Sequence, residues 1–204
     1  YNFNEPSTLF NGMISPLIPY TMKGVVWYQG ENNAFRHEEY GELFSLLISD
    51  WRSKWDNDFS FYYVQIAPYF NYYNSNASLR EVQRKALEVP KTGMVVTLDI
   101  GEKYDIHPSN KHDVGFRLAR YALKNDYKID LIDSGPLYMS QSIHEGVIKV
   151  FFKHLGDGLV LDENGYSEFE VAGMDKKYFV ADVVNQNDFL EVFSDNVKNP
   201  LYIR

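Results

Sequence analysis

The sequence predicts an α/β domain followed by a β-rich segment, on three grounds. Residues 24–127 alternate short β-branched or aromatic runs with longer segments whose apolar residues fall three and four apart. Beyond about residue 130 that helical spacing stops, and short alternating stretches replace it. Between the two lies Asp133-Ser134-Gly135-Pro136, a turn cluster that sets a boundary at 128–135 and divides the chain into domains over 1–130 and 131–204.

The elements follow in order. Gly24-Val25-Val26-Trp27-Tyr28 reads as a buried strand, residues 60–67 as a second, and Met94-Val95-Val96-Thr97-Leu98 as a third. A helix over 35–55 carries Tyr40, Leu43, Phe44, Leu47, Ile48 and Trp51 as one apolar stripe. A second over 78–89 turns Leu79, Val82 and Ala86 inward. A third starts after Asn110, a good cap, with Asp113 favoured at the positive end of the helix dipole and Val114, Leu118 and Tyr121 facing the core. In the tail, residues 137–140, 146–152, 182–184 and 190–193 read as strands. His144-Glu145-Gly146 and Asp162-Glu163-Asn164-Gly165 read as hairpin turns.

Composition narrows the function. The chain has 204 residues, 45% hydrophobic and 16% aromatic, enough for a good core. A net charge of -8, with no basic cluster, sets its field against a polyanion, so no nucleic-acid partner is expected. No apolar run approaches the ~20 residues of a membrane-spanning helix, so no membrane partner is expected, and Tyr1-Asn2-Phe3-Asn4-Glu5 lacks the regions of a signal peptide. With no cysteine, disulfides, thiolate nucleophiles and cysteine zinc sites are excluded.

Two groups of residues can carry chemistry. Trp27-Tyr28-Gln29-Gly30-Glu31-Asn32 follows a predicted parallel strand, and ligands of open α/β sheets gather at such carboxyl ends. There the Gln29 amide can donate to an oxyanion, Gly30 permits close backbone approach and Glu31 emerges beside the sheet. The plainer reading is a helix start, with Gly30 for the turn, Asn32 or Asn33 as cap and Glu31 on the dipole. The second group, Asp105-Ile106-His107-Pro108-Ser109-Asn110, follows the third strand. Pro108 keeps His107 out of helical geometry, and Asp105, two residues earlier on the same extended face, can hold one ring nitrogen while the other acts as base. A local hydrogen bond at a helix start is the plainer role for His107. His37, His112, His144 and His154 make no metal-ligand spacing.

Arg80, in Leu79-Arg80-Glu81-Val82-Gln83, is the expected bidentate partner of a buried Glu31, a solvated helix face being the alternative. The loop with Tyr69, Phe70, Tyr72 and Tyr73 suits either sugar stacking or a lid on the core.

In their order these pieces resemble the sialate O-acetylesterase group of the SGNH, or GDSL-type, hydrolases. The likeness begins at Pro6-Ser7-Thr8-Leu9-Phe10-Asn11-Gly12-Met13-Ile14 and runs through Gly24 to Glu31 and Leu79 to Gln83. It continues through Asp105 to Lys111, Val114-Gly115-Phe116-Arg117-Leu118-Ala119 and, in the tail, Phe169-Glu170-Val171-Ala172-Gly173. The resemblance implies a flavodoxin-like three-layer α/β/α sheet, hydrolysis of O-acetyl esters on sialic acid or related sugars, a secreted or periplasmic location and no metal or organic cofactor. It also implies His107 as catalytic base, Gln29 as oxyanion donor, Asp105 as third triad member, and Gly30, Glu31, Asn32 and Arg80 in supporting or substrate-binding roles.

Two departures stand out. The family's serine lies in a Gly-Gln-Ser-Asn-like block that is absent here, as is any Gly-x-Ser-x-Gly elbow. In the wider superfamily the carboxylate stands three residues before the histidine, where this chain has Tyr104. Only three parallel strands are predicted where such a sheet has about five. An unpaired edge is therefore expected, relieved by self-association or by a complementing N-terminal segment that carries the serine. The competing classes are a non-catalytic carbohydrate-binding fragment and a hydrolase using Ser109 or Ser75 as nucleophile.

Overall fold

The computed structural model describes residues 5–70, 76–161 and 169–204, so Tyr72, Tyr73, Ser75 and the expected turn at 162–165 lie outside the described residues. The chain divides into two compact units, Tyr1–Asp133 and Ser134–Arg204.

In the first unit, β1 (Gly24–Trp27), β2 (Ser60–Val64) and β3 (Thr92–Val95) form a parallel sheet in the order β1-β2-β3. All five residues of β2 are buried, as a central strand covered on both faces must be. One face is covered by α1 (His37–Trp55), which follows a 3-10 helix at Glu31–Arg36, and by α2 (Asn76–Lys85), which continues into a 3-10 turn at Ala86–Glu88. Tyr40, Phe44 and Ile48 of α1 meet Phe61 and Tyr63 there, with the Phe44 and Tyr63 rings edge-on at 5.0 Å. Each such side chain, fully buried, contributes roughly 1.5–3 kcal/mol. Leu43, expected in the same stripe, is 55% exposed, because it lies to one side of the arc that Tyr40, Phe44 and Ile48 bury.

The other face is covered by α3 (Lys111–Asn125). Tyr121 stacks on Tyr62 at 5.5 Å and donates its hydroxyl to Met94 O at 2.9 Å. The strand that makes room for it is β3: a Cβ at Gly93 would fall 2.5 Å from the Tyr121 ring. The unit is therefore a three-layer α/β/α sandwich, and β3 starts two residues before the expected Met94.

The second unit holds no helix among its described residues. A four-stranded antiparallel sheet runs β4-β5-β9-β8, using Leu137–His144, Val147–Lys153, Phe189–Phe193 and Asp182–Asn185. A three-stranded sheet runs β10-β6-β7, from Tyr202–Ile203, Glu170–Ala172 and Tyr178–Val180. Ile148, Val150, Val171, Leu190 and Val192 alternate inward to form its core. The hairpin turn expected at His144-Glu145-Gly146 joins β4 to β5, with φ of 50° at Glu145 and 82° at Gly146, the left-handed pair that matches strand twist.

Candidate active site

Three loops leave the carboxyl ends of β1, β2 and β3, and the candidate residues lie on them. Beyond β1 the chain turns at Gly30, which is buried with φ 150°. A Cβ there would meet Ile66 Cγ2 at 3.2 Å, Gln83 Nε2 at 3.3 Å and the Tyr40 hydroxyl at 3.4 Å, so both backbone and packing demand glycine. Asn33 N donates to Gly30 O at 2.7 Å to start the 3-10 helix, and Glu31 occupies its first turn. Gln29 points outward, its Nε2 donating to Asn33 Oδ1 at 2.7 Å, so one of its two N–H bonds is committed locally. Asn32 is exposed beside it.

Beneath this turn sits Gln83, 1% exposed and missed by the sequence reading as a functional support. Its Oε1 accepts from Ile66 N at 3.0 Å, its Nε2 donates to Val64 O at 3.3 Å, and its carbonyl accepts from the Tyr63 hydroxyl at 2.7 Å. Burial pushes the hydroxyls of Tyr63 and Tyr40 up, so both remain neutral donors. Gln65 extends the network, its Nε2 donating to Arg80 O at 3.0 Å and its carbonyl accepting from the Thr97 hydroxyl at 2.9 Å.

Arg80 thus anchors the loop after β2 through its backbone. Its guanidinium is half-buried, and that burial lowers its pKa. The expected ion pair with Glu31 is not formed. Glu31 is instead held at the first turn of its helix, where the dipole favours its charge and where it raises the pKa of Tyr28, whose burial acts in the same direction more strongly.

The His107 loop is closed by its own carboxylates. Glu102 and Asp105 bridge across a turn, and Glu102 Oε1 accepts from both the backbone N–H and the hydroxyl of Ser109, at 2.8 and 2.9 Å. Ser109 is therefore engaged as a donor to the Glu102 carboxylate. Pro108 is buried, His107 is exposed, and Asn110 caps α3 by accepting from Asp113 N at 3.1 Å. Asp105 Oδ1 accepts from the backbone N–H of His107 at 2.8 Å. The reason is local: an aspartate reaches the N–H two residues on without any strain of the chain. Just before the loop, Asp99 pairs with Arg117, whose Nη1 donates to Oδ1 at 2.8 Å and to Val96 O at 2.7 Å.

The first and third loops come together. Lys111 Nζ, four residues beyond His107, lies 4.8 Å from the centroid of the Tyr28 ring, next to Gln29. Gln29 and His107 both stand on loops that leave the carboxyl edge of the same sheet. Among the described residues no three His, Asp or Glu side chains converge as a metal would require, and no helix is long and apolar enough to cross a membrane.

The chain is similar to known proteins in sequence and in fold. The profile of a family described as carbohydrate esterase, sialic acid-specific acetylesterase, matches residues 2–124. The sialate O-acetylesterase of Mus musculus is 34% identical over 154 residues, 64% of this chain and 28% of its own length. That of Homo sapiens is 28% identical over 201 residues, 86% of this chain and 36% of its own. A crystal structure of a carbohydrate acetylesterase from Xanthomonas citri superposes with a TM-score of 0.88 at 37% identity, covering 96% of this chain and 48% of that one. The chain therefore spans about a third of the length of the curated relatives it matches.

Proposed function

The chain belongs to the sialic acid-specific acetylesterase family of carbohydrate esterases, and from that premise we propose that it is the base-bearing part of an enzyme that removes O-acetyl groups from sialic acid or related carbohydrates. The observation that supports this reading is the contact of Tyr28, beside Gln29, with Lys111, the first residue of α3 after the His107 loop.

In the proposed reaction the His107 imidazole takes the proton of a serine hydroxyl, and the serine oxygen attacks the acetyl carbonyl carbon. The free N–H of the Gln29 amide donates to the oxyanion that forms. As the tetrahedral species collapses, the sugar oxygen leaves with the proton from His107. A water, deprotonated by the same imidazole, then releases acetate from the serine. Asp105 steadies His107 through its backbone, and its second carboxylate oxygen is the group proposed to orient the ring. Glu31 and Arg80 support the first two loops without touching the acetyl group, and the exposed Asn32 is left for contact with the sugar.

The serine is proposed to come from polypeptide of the same protein outside these 204 residues. In support, the chain has no nucleophile elbow and spans only 28–36% of its curated relatives. In addition, β1 is hydrogen-bonded on one side only among the described residues, with Val26 65% exposed, an edge suited to further strands. The test compares acetyl-ester hydrolysis by the 204-residue chain alone and by the longer protein that contains it. The longer protein should turn over and the chain alone should not. Turnover by the chain alone would place the nucleophile among the present serines, and sugar binding without turnover by either would favour a binding module. In the active form Gln29→Ala should lower kcat by about 10²–10³ with KM nearly unchanged. A change in KM alone would make it a substrate-binding residue instead.

A further inference from the structure

Tyr40 stands near the start of α1 with its ring 4% exposed and stacked on Phe44 at 5.4 Å, so core packing delivers its hydroxyl to one point. That point lies against the turn after β1. The hydroxyl donates to Gln29 O at 3.2 Å and would stand 3.4 Å from a Cβ at Gly30. The direction of this bond is set by the groups around the oxygen. Gln83 Oε1 accepts from Ile66 N at 3.0 Å, which only the oxygen of that amide can do, so its NH2 is turned to Val64 O and to the Tyr40 oxygen. The Trp27 indole N–H lies close enough to the same oxygen to act on it, though beyond a full hydrogen bond. An amide NH2 and an indole N–H can only donate, which leaves the Tyr40 proton for Gln29 O. Burial raises the Tyr40 pKa by more than these two neighbours lower it, so the proton stays on the hydroxyl at any working pH.

The bond joins a buried network to an exposed side chain. At its far end the Gln29 amide donates to Asn33 Oδ1 at 2.7 Å and keeps one N–H for another acceptor. At its near end is the backbone, and Gln29 lies beyond Trp27, the last residue that pairs with β2. Among the described residues the Tyr40 hydroxyl is the group that holds the Gln29 carbonyl. We propose that Tyr40 is a positioning residue for ester hydrolysis: its hydroxyl fixes the Gln29 peptide and so aims the remaining Gln29 N–H at the oxyanion. The role rests on the reading of Gln29 as oxyanion donor and adds the residue that orients it. It is exerted in the transition state, because a donor out of line costs more against a full oxyanion than against a ground-state carbonyl.

The test is steady-state hydrolysis of 4-nitrophenyl acetate by the longer protein that contains this chain, with Gln29→Ala, Tyr40→Phe and the two combined. Tyr40→Phe keeps the ring in the core and removes only the hydroxyl. It should lower kcat about 10-fold with KM nearly unchanged. The double variant should fall no further than Gln29→Ala alone, because a group that acts by aiming another then has nothing to aim. Tyr62→Phe shows what the loss of a buried hydroxyl does by itself, since that hydroxyl donates to Asp126 Oδ2 at 2.8 Å on the α3 side of the sheet. It should lower the melting temperature and leave kcat within about twofold. Full kcat in Tyr40→Phe, losses that multiply in the double variant, or an equal fall of kcat in Tyr62→Phe would each overturn the positioning role while leaving the effect of Gln29→Ala intact. An undiminished kcat in Gln29→Ala would instead remove Gln29 as the donor, and the role of Tyr40 with it.

Discussion

The Gly30 turn and the His107 loop stand at the same edge of one sheet and are held in place by different physics. The turn is locked from below: Gly30 is buried against Ile66, Gln83 and Tyr40, the Tyr40 hydroxyl donates to Gln29 O, and Gln83 is itself bonded to the backbone of β2 and its extension. The loop is locked at the surface, where Glu102 holds Ser109, Asp105 holds the His107 backbone and Asn110 caps the helix behind. The oxyanion side of the proposed site is therefore part of the folding core, and the base side is a local structure that can loosen without unfolding the rest. A rigid donor and a locally fastened base make sense together, since the donor meets one atom while the imidazole has to reach both the serine and the departing sugar oxygen.

This contrast is breakable by mutation. Gly30→Ala puts a Cβ into a backbone region that side-chain-bearing residues avoid and into contact with three buried groups. It should cost about 2–3 kcal/mol of global stability, read by denaturant unfolding. A loss below about 0.5 kcal/mol would mean that the turn shifts freely and is not part of the core.

Glu102→Ala should behave in the opposite way. It frees the Ser109 N–H and hydroxyl at an exposed position, so stability should fall by no more than about 1 kcal/mol. Turnover of the active form should nevertheless drop by about 10-fold as the His107 loop loosens. Glu102→Gln, which keeps an acceptor oxygen, should restore most of it. A melting temperature lowered as much as in Gly30→Ala would erase the distinction between the two loops.

The smallest effect lies just before the loop. Hydrogen bonds from Arg117 hold the Asp99 carboxyl below the usual carboxylate range. A carboxylate depressed in this way stabilises the fold fully above its unperturbed value of about 4 and loses that contribution as pH falls through the depressed one. For so exposed a pair the contribution is at most about 1 kcal/mol. The wild-type melting temperature should therefore fall more steeply below about pH 4 than that of Asp99→Asn, the two curves converging in acid. Parallel curves would show that the pair contributes nothing.

Much of this architecture is legible in the sequence, because strong periodicity and local chemistry write it there. The stripe of Tyr40, Phe44 and Ile48, the Asn110 cap and the Glu145-Gly146 turn each follow from residues close together in the chain. What the sequence does not show is distance between segments. Glu31 and Arg80 carry complementary charges yet do not pair, since each is placed by its own backbone neighbours. Gln83 looks like any polar helix residue until the strand it bonds is brought beside it. Asp105 stands at a spacing that suits either the ring or the backbone of His107, and the bond to the backbone N–H depends on a turn that the spacing alone does not reveal. The short strands β7 and β10 pass unnoticed because two or three residues are too few to establish an alternation.

The central claim is that His107 is the base of an acetyl-ester hydrolase, and it is tested most directly by steady-state hydrolysis with His107→Ala in the longer protein. His107 is exposed at the tip of its loop, so its removal should leave thermal unfolding unchanged. The kcat should fall at least about 10³-fold, as loss of a triad histidine does. Turnover within a few-fold of the wild type would contradict the claim and pass the base to another residue.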